Sequence, residues 1–193
     1  ERSGIRALPA GNNETPLVVA IDDAEAEVFV VEASSFRLGH ARSVRLGPAA
    51  WLNFAPDHLD VHADLEAYEA AKARIWEAIE EPADAVANLS DPVVRSHAPE
   101  GATGFGTGAA ACRVEDGHLL LGEHRIVAVD EMPRGMPHDL LNAQAATALA
   151  TRAGALPEGC ADVLRCFRGL PHRMQLLGEV DGIRFVDDSK LGA

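Results

Sequence analysis

Three side chains far apart in the chain have the types needed to handle a divalent cation together: the Glu32 carboxylate, the His58 imidazole and the Lys72 amine. Glu32 closes the apolar run Val28-Phe29-Val30-Val31, and a charge there must be solvated, paired or bound to a cation, because burying it bare is costly. A metal ligand and an ordinary exposed or helix-capping carboxylate both meet that requirement. His58 lies in Asp57-His58-Leu59-Asp60, where a neutral imidazole could ligate a metal while a neighbouring carboxylate orients the ring. As a simple turn residue it would need no ligand. Lys72 falls on the apolar stripe Leu65, Tyr68, Ala71, Ile75, Trp76 and Ile79. One account is snorkelling, with the stem on apolar surface and the ammonium in water. The other is chemical: a lysine whose pKa is lowered by burial reacts as the free amine with carbon dioxide, giving a carbamate anion able to help hold magnesium. A lysine at its ordinary pKa of about 10.4 is almost wholly protonated at neutral pH, so the carbamate requires a special site.

Two more residues have chemistry open to them. Asn142 sits on a helix of small residues, where Ala143, Ala145 and Ala146 would let a flat ligand approach the backbone, although alanine-rich helices also simply pack well. Arg173, after Pro171-His172, is either a phosphate clamp beside a hinge or an ordinary surface arginine. Met132 and Met136 read as filler.

The elements that must position these residues alternate between short Val/Ile/Phe-rich runs and longer helical patterns. That is the signature of an α/β fold with a mostly parallel sheet flanked by helices. Strands are expected at Val28–Val31, at Ala49–Phe54 and at Ala85–Ala87, the last stopping at Asn88. Ligands of open α/β sheets collect beyond the carboxyl ends of strands, where Glu32 and His58 both fall. A strong helix is expected from about Asp64 to Glu80. The alternation through His118–Leu121 and Arg125–Val129 predicts a small antiparallel excursion away from any site. Further helices are expected from Asp139, as N-cap, to near Gly154 and from Gly159 to Arg168, and a strand over Gly182–Val186 leads into Asp187-Asp188-Ser189-Lys190. Gly169-Leu170-Pro171 breaks the pattern and sets the expected boundary between domains 1–170 and 171–193.

Composition narrows the function classes. The 193 residues are 47% hydrophobic and 24% charged, a globular composition. A formal net charge of -13 disfavours nucleic acid and anionic lipid as partners, since both need clustered cations. Cys112, Cys160 and Cys166 are odd in number and lack CxxC spacing, which argues against a disulfide framework or zinc and fits a reducing, cytoplasmic setting. No apolar run approaches the roughly 20 residues of a membrane span. Glu1-Arg2-Ser3-Gly4 lacks a signal peptide's apolar region, and the chain is expected to be a trimmed segment of a longer protein.

Taken in order, these segments resemble the Mur ligase family, and within it the branch that adds D-glutamate. Val31-Glu32-Ala33-Ser34-Ser35-Phe36-Arg37-Leu38 is similar to the family's VELSSFQL, Leu52 to Asp60 to LN…DHLD, and Tyr68 to Ile75 to YxxAKxRI. His138-Asp139-Leu140-Leu141-Asn142-Ala143 resembles HNxxNA, followed by Leu170-Pro171-His172-Arg173 and Asp187-Asp188-Ser189-Lys190. The resemblance implies a central ATPase domain of P-loop type and a ligase in which ATP phosphorylates a substrate carboxylate. The acyl phosphate so formed is attacked by an amino-acid amine to give an amide. It further implies two magnesium ions, one at Glu32 and the other at His58 and a carbamylated Lys72. Asn12, Ser34 and His58 would contact a nucleotide-sugar peptide precursor, and Asn142, Arg173, Asp188 and Lys190 would contact ATP. A full-length monomer acting in cell-wall (peptidoglycan) synthesis is expected.

The sequence also departs from the pattern. GNIGTP reads Gly11-Asn12-Asn13-Glu14-Thr15-Pro16, the HN pair reads His138-Asp139, and the ending Lys190-Leu191-Gly192-Ala193 differs from SKATN. No GxxGK(S/T) phosphate loop occurs, so the 193 residues are expected to be inactive by themselves. Two other readings remain, a different Mur or folylpolyglutamate-type ligase and a degenerate, non-catalytic binding module.

Overall fold

Alternation of small and branched residues builds the centre of the molecule. In the computed structural model, which describes residues 2–12, 15–42 and 47–190, the strand Ala85–Asn88 is buried along its whole length. Ala85 and Ala87 pack to one side with Trp51, Trp76 and Val94, while Val86 packs to the other with Phe105, Leu119, Ala145 and Ala148. This two-residue period is what a strand covered on both faces requires. Fully burying a side chain the size of Phe105 contributes about 1.5–3 kcal/mol.

The strands are β1 (Ala7–Gly11), β2 (Val28–Glu32), β3 (Ala49–Trp51), β4 (Ala85–Asn88), β5 (Thr103–Phe105), β6 (Cys112–Glu115), β7 (His118–Leu121), β8 (His124–Ala128), β9 (Gln175–Val180) and β10 (Ile183–Asp187). The helices are α1 (Leu17–Ala20), α2 (Ser35–His40), α3 (Leu65–Ala73), α4 (Pro92–His97), α5 (Pro137–Arg152) and α6 (Pro157–Cys166). Strands β3 to β8 form one sheet in sequence order, parallel from β3 to β6 and antiparallel from β6 to β8. Strands β1 and β2 form a separate parallel pair, and β9 and β10 an antiparallel hairpin. The expected fold, a mostly parallel sheet between helices with a small antiparallel excursion, is the one observed.

Several boundaries differ from the sequence reading. The expected long helix ends at Ala73 and continues as a 3-10 turn over Arg74–Trp76, because the Trp76 indole donates to Ala49 O at 2.9 Å and turns the chain onto β3. Strand β3 stops at Trp51 rather than Phe54: Leu52 O accepts from the Asn88 amide at 2.8 Å, and Phe54 N donates to Asp91 at 2.7 Å. Met136, not Asp139, is the N-cap of α5, so Asp139 lies in the first turn, where Pro137 supplies a fixed φ. The last helix runs Pro157–Cys166, two residues ahead of its expected bounds at either end. Strands β1, β5, β6 and β9 and helices α1, α2 and α4 are additional to the elements read from sequence. The departures at Glu14 and at Leu191 to Ala193 lie outside the described residues.

Candidate functional site

Tyr68 is the hub of one group. It is buried on α3, one turn before Lys72, and the Lys72 Nζ stands 5.2 Å from the centre of its ring. The His58 ring meets Tyr68 edge-on at 5.8 Å, and His62 lies against it at 5.2 Å. Burial lowers the Lys72 pKa from its ordinary value, with the Asp57 charge acting the other way. Burial, followed by Asp57, raises that of Tyr68. Burial disfavours the ammonium form of Lys72, whereas the Tyr68 ring and Asp57 favour it, so both accounts of this residue stay open.

His58 occupies the left-handed region at φ 56°, uncommon for a residue with a Cβ and often found at functional positions. Asp57 Oδ1 accepts from His58 N at 2.8 Å, and the His58 carbonyl accepts from the backbones of Val61 and His62 at 3.1 and 3.0 Å. The loop is thus bonded to itself while the imidazole faces Phe36, 5.1 Å away, and Tyr68, with Asp57 Oδ2 3.7 Å from its Nε2.

The end of β2 reaches this group through α2. Glu32 is followed by Ser34, whose hydroxyl accepts from Arg37 N at 3.4 Å as the N-cap of α2. Ser35 Oγ then bonds His62 Nε2 at 2.9 Å, and Phe36 stacks on His62 at 5.6 Å. At the other end of α2, Arg74 donates to the carbonyls of Leu38, Gly39 and Ala41 at 2.6–2.8 Å. Its guanidinium fastens α3 to the last turn of α2, a favourable place for a cation. The sequence reading missed Arg74, Ser35 and His62 as positioning residues. Arg74 and Ser35 were visible only as letters inside the YxxAKxRI and VELSSFQL segments.

Glu32 itself is exposed, with the Asn12 amide 3.3 Å from Oε1 and Asn12 N donating to Glu32 O at 2.8 Å. Gly11 has φ 106°, and a Cβ there would lie 2.3 Å from Glu32 O, so only glycine allows this close approach of β1 to β2. Asn12 and Glu32 are therefore paired by the structure, as are His58 and Lys72 through Tyr68. Among the described residues, no three His, Cys, Asp or Glu side chains gather as a metal cage. Magnesium suits such a sparse donor set, because it keeps several waters and binds through one or two carboxylates together with substrate phosphates. The Asp57 carboxylate already stands 3.7 Å from His58 Nε2, and a carbamate on Lys72 would add a second oxygen donor to that side of Tyr68.

The second group is at the start of α5 and the C-terminal hairpin. Asn142 is exposed on α5 and shares that face with Ala146, whereas Ala143 and Ala145 are buried against the sheet and do not border any ligand there. Arg173 is exposed just before β9, Asp188 accepts from Met174 N at 3.0 Å, and Lys190 N donates to His172 O at 3.0 Å. The Ser189 hydroxyl, followed by His172, holds the Asp187 carboxyl down at about 2.

A mostly parallel sheet flanked by helices, with His58 following β3, defines an α/β protein. The chain belongs to the Mur ligase family: the Mur ligase middle domain matches residues 12–150. A relative from Frankia casuarinae, a UDP-N-acetylmuramoylalanine--D-glutamate ligase, is 39% identical over 97% of this chain and 42% of its own length. One of the same name from Exiguobacterium sibiricum is 36% identical over 98% of this chain and 43% of its own. The chain thus spans less than half the length of these curated relatives. The solved UDP-N-acetylmuramoyl-L-alanyl-D-glutamate--2,6-diaminopimelate ligase shares the fold, with a TM-score of 0.68 at 20% identity over 91% of this chain and 49% of that one. The UDP-N-acetylmuramate-alanine ligase of Thermotoga maritima does so with a TM-score of 0.58 at 15% identity over 97% and 51%. Among the described residues, no helix is long and apolar enough to cross a membrane.

Proposed function

We propose that this chain is the ATP-handling centre of a cytoplasmic ligase that adds D-glutamate to UDP-N-acetylmuramoyl-L-alanine in peptidoglycan synthesis. Residues 1–170 are the central domain, and 171–193 begin the domain that receives the amino acid. The observation that carries this reading is the convergence of His58 and Lys72 on Tyr68, with the amine made less basic by burial. The names shared by the relatives support the choice of substrates.

In the proposed reaction a substrate carboxylate oxygen attacks the γ-phosphorus of ATP, the bond to the β-phosphate oxygen breaks, and ADP leaves. The amine of D-glutamate then attacks the acyl carbon, losing a proton as inorganic phosphate departs. The difficulty is charge, since a carboxylate must meet a triphosphate. Two magnesium ions would neutralise the phosphoryl oxygens, one held by Glu32 and the other by His58 with carbamylated Lys72. Asn12 and Ser34, with His58, orient the muramoyl substrate, and Asn142, Arg173, Asp188 and Lys190 bind the nucleotide.

The full-length protein is expected to release phosphate from ATP only when both the muramoyl precursor and D-glutamate are present, and to give a carbamate signal on Lys72 with carbon-13 bicarbonate. Turnover with another amino acid in place of D-glutamate would refute the substrate assignment. A silent Lys72 in an active enzyme would refute the carbamate.

A further inference from the structure

We propose that Arg134 and Asp139 are positioning residues whose ion pair fixes the β9–β10 hairpin, and with it Arg173, Asp188 and Lys190, against the start of α5. The inference rests on the reading above that these three side chains serve the nucleotide.

The connection can be traced bond by bond. Asp139 Oδ1 accepts from Arg134 Nε at 2.7 Å, and its other oxygen accepts from Met136 N at 3.3 Å. His138 Nε2 stands 3.4 Å from Oδ1. The same guanidinium donates through Nη1 to Met174 O at 3.3 Å, and Met174 N donates to Asp188 Oδ1 at 3.0 Å. The two backbone polar groups of Met174 thereby join Arg134 to Asp188. The hairpin ends are tied to each other as well: His172 Nδ1 lies 2.7 Å from Asp187 Oδ2, and Lys190 N donates to His172 O at 3.0 Å. Whatever holds Met174 therefore also holds Asp188 and Lys190.

Three features separate this arrangement from an ordinary surface ion pair. The Asp139 and Arg134 side chains are only 9% and 17% exposed, so water and salt screen the pair little. An aspartate in the first turn of α5 also faces the positive end of the helix, which anchors the pair to a helix that buries Ala143, Gln144, Ala145, Thr147 and Ala148. Finally, the guanidinium lies directly over the hinge. Gly169 has φ 99°, and a Cβ built there would come within 2.5 Å of Arg134 Nη1 and 3.1 Å of Cζ. An alanine there would have to push the guanidinium aside and also adopt a φ that residues with a Cβ rarely take. His172 and Met174 also have positive φ, 62° and 44°, conformations that persist only when surrounding contacts impose them. The contacts at these two residues include the Arg134, Asp187 and Asp188 bonds and the His172 N–H donated to Gln175 Oε1 at 3.1 Å. Asp139 stands where the family resemblance expects asparagine, and a charged partner for Arg134 is what that change provides.

The test combines ATP kinetics and amide hydrogen exchange on the full-length protein carrying Arg134→Ala, Arg134→Lys or Gly169→Ala. Arg134→Ala is expected to raise KM for ATP about tenfold with kcat within about twofold, as loss of a charge-assisted orienting contact should. Arg134→Lys should recover part of the loss, and Gly169→Ala should reproduce it by displacing the guanidinium without removing its charge. Exchange over residues 174–180 should quicken in Arg134→Ala and Gly169→Ala while β4 stays protected. Unchanged exchange in the hairpin, or equal loss of protection in β4, overturns the proposal. If the unmutated protein does not use ATP, the functional reading fails and exchange alone decides the anchor. If it does, and exchange quickens with KM unmoved, the positioning role for the nucleotide is overturned.

Discussion

The two groups of candidate side chains are held in opposite ways. His58 and Lys72 are placed by buried rings: Tyr68 is 4% exposed and touches Phe54, His58 and His62, with Phe36 closing the far side. Arg173, Asp188 and Lys190 ride on a hairpin without a core, in which Leu176, Leu177, Val180, Ile183 and Phe185 are all exposed. There, hydrogen bonds to Met174 and His172 take the place of packing. Burial does two jobs at once, since the desolvation that positions Lys72 also changes its basicity. Hydrogen bonds on an exposed hairpin set direction only. Under the proposed function, the group that would change its chemical state lies in the first setting, and those that would only point at a charged ligand lie in the second.

The strongest way to break that comparison is to remove one lysine from each group in the full-length protein. Lys72→Met is expected to lower kcat/KM by at least about a thousandfold, as loss of a charge-stabilising centre does, whereas Lys190→Met should cost about tenfold and mainly in KM for ATP. Equal losses, measured by steady-state phosphate release, would erase the distinction. The next contrast concerns stability. Tyr68→Ala should destabilise by about 3 kcal/mol, while Phe185→Ala on the exposed hairpin should fall within about 0.5 kcal/mol, both read from urea midpoints. A large effect at Phe185 would mean that the hairpin is packed in solution.

The smallest expected effect follows from the lowered Lys72 pKa, and its sign can be worked out. Below the folded pKa both states carry the proton, and the folded state bears the full penalty of the buried charge. As pH rises through the folded value towards 10.5, the unfolded chain holds more protons and the penalty fades. In protein freed of carbon dioxide, so that Lys72 is unmodified, Lys72→Met should therefore raise the melting temperature at neutral pH, by an amount that shrinks as the solution is made alkaline. A gain that grows with pH would contradict desolvation as the cause.

Much of the architecture was legible because its signals are local. The runs at Val28 and Ala85 declared strands, and the alternation at His118–Leu121 declared the antiparallel edge. Strands β5 and β6 are three and four residues long among glycines and alanines, too short for periodicity to show. The end of α3 was misread because the stripe of Ile75, Trp76 and Ile79 continues at helical spacing, yet the Trp76 bond to Ala49 O tightens the turn. At α5, Asp139 looked like a cap because its residue type favours one. It is instead in the first turn, where one carboxylate oxygen accepts from Arg134 and the other from the backbone of Met136, the N-cap.

By itself the sequence determined the residue types available for chemistry, the family pattern that orders them, and the α/β class, because these follow from composition, spacing and periodicity along the chain. Only the tertiary structure decided that His58 and Lys72 share the Tyr68 ring, that Arg74 locks α2 to α3, and that Arg134 reaches the backbone of Met174. Those relations join residues up to 40 apart, and no local preference encodes which distant partner a charge or a ring will meet.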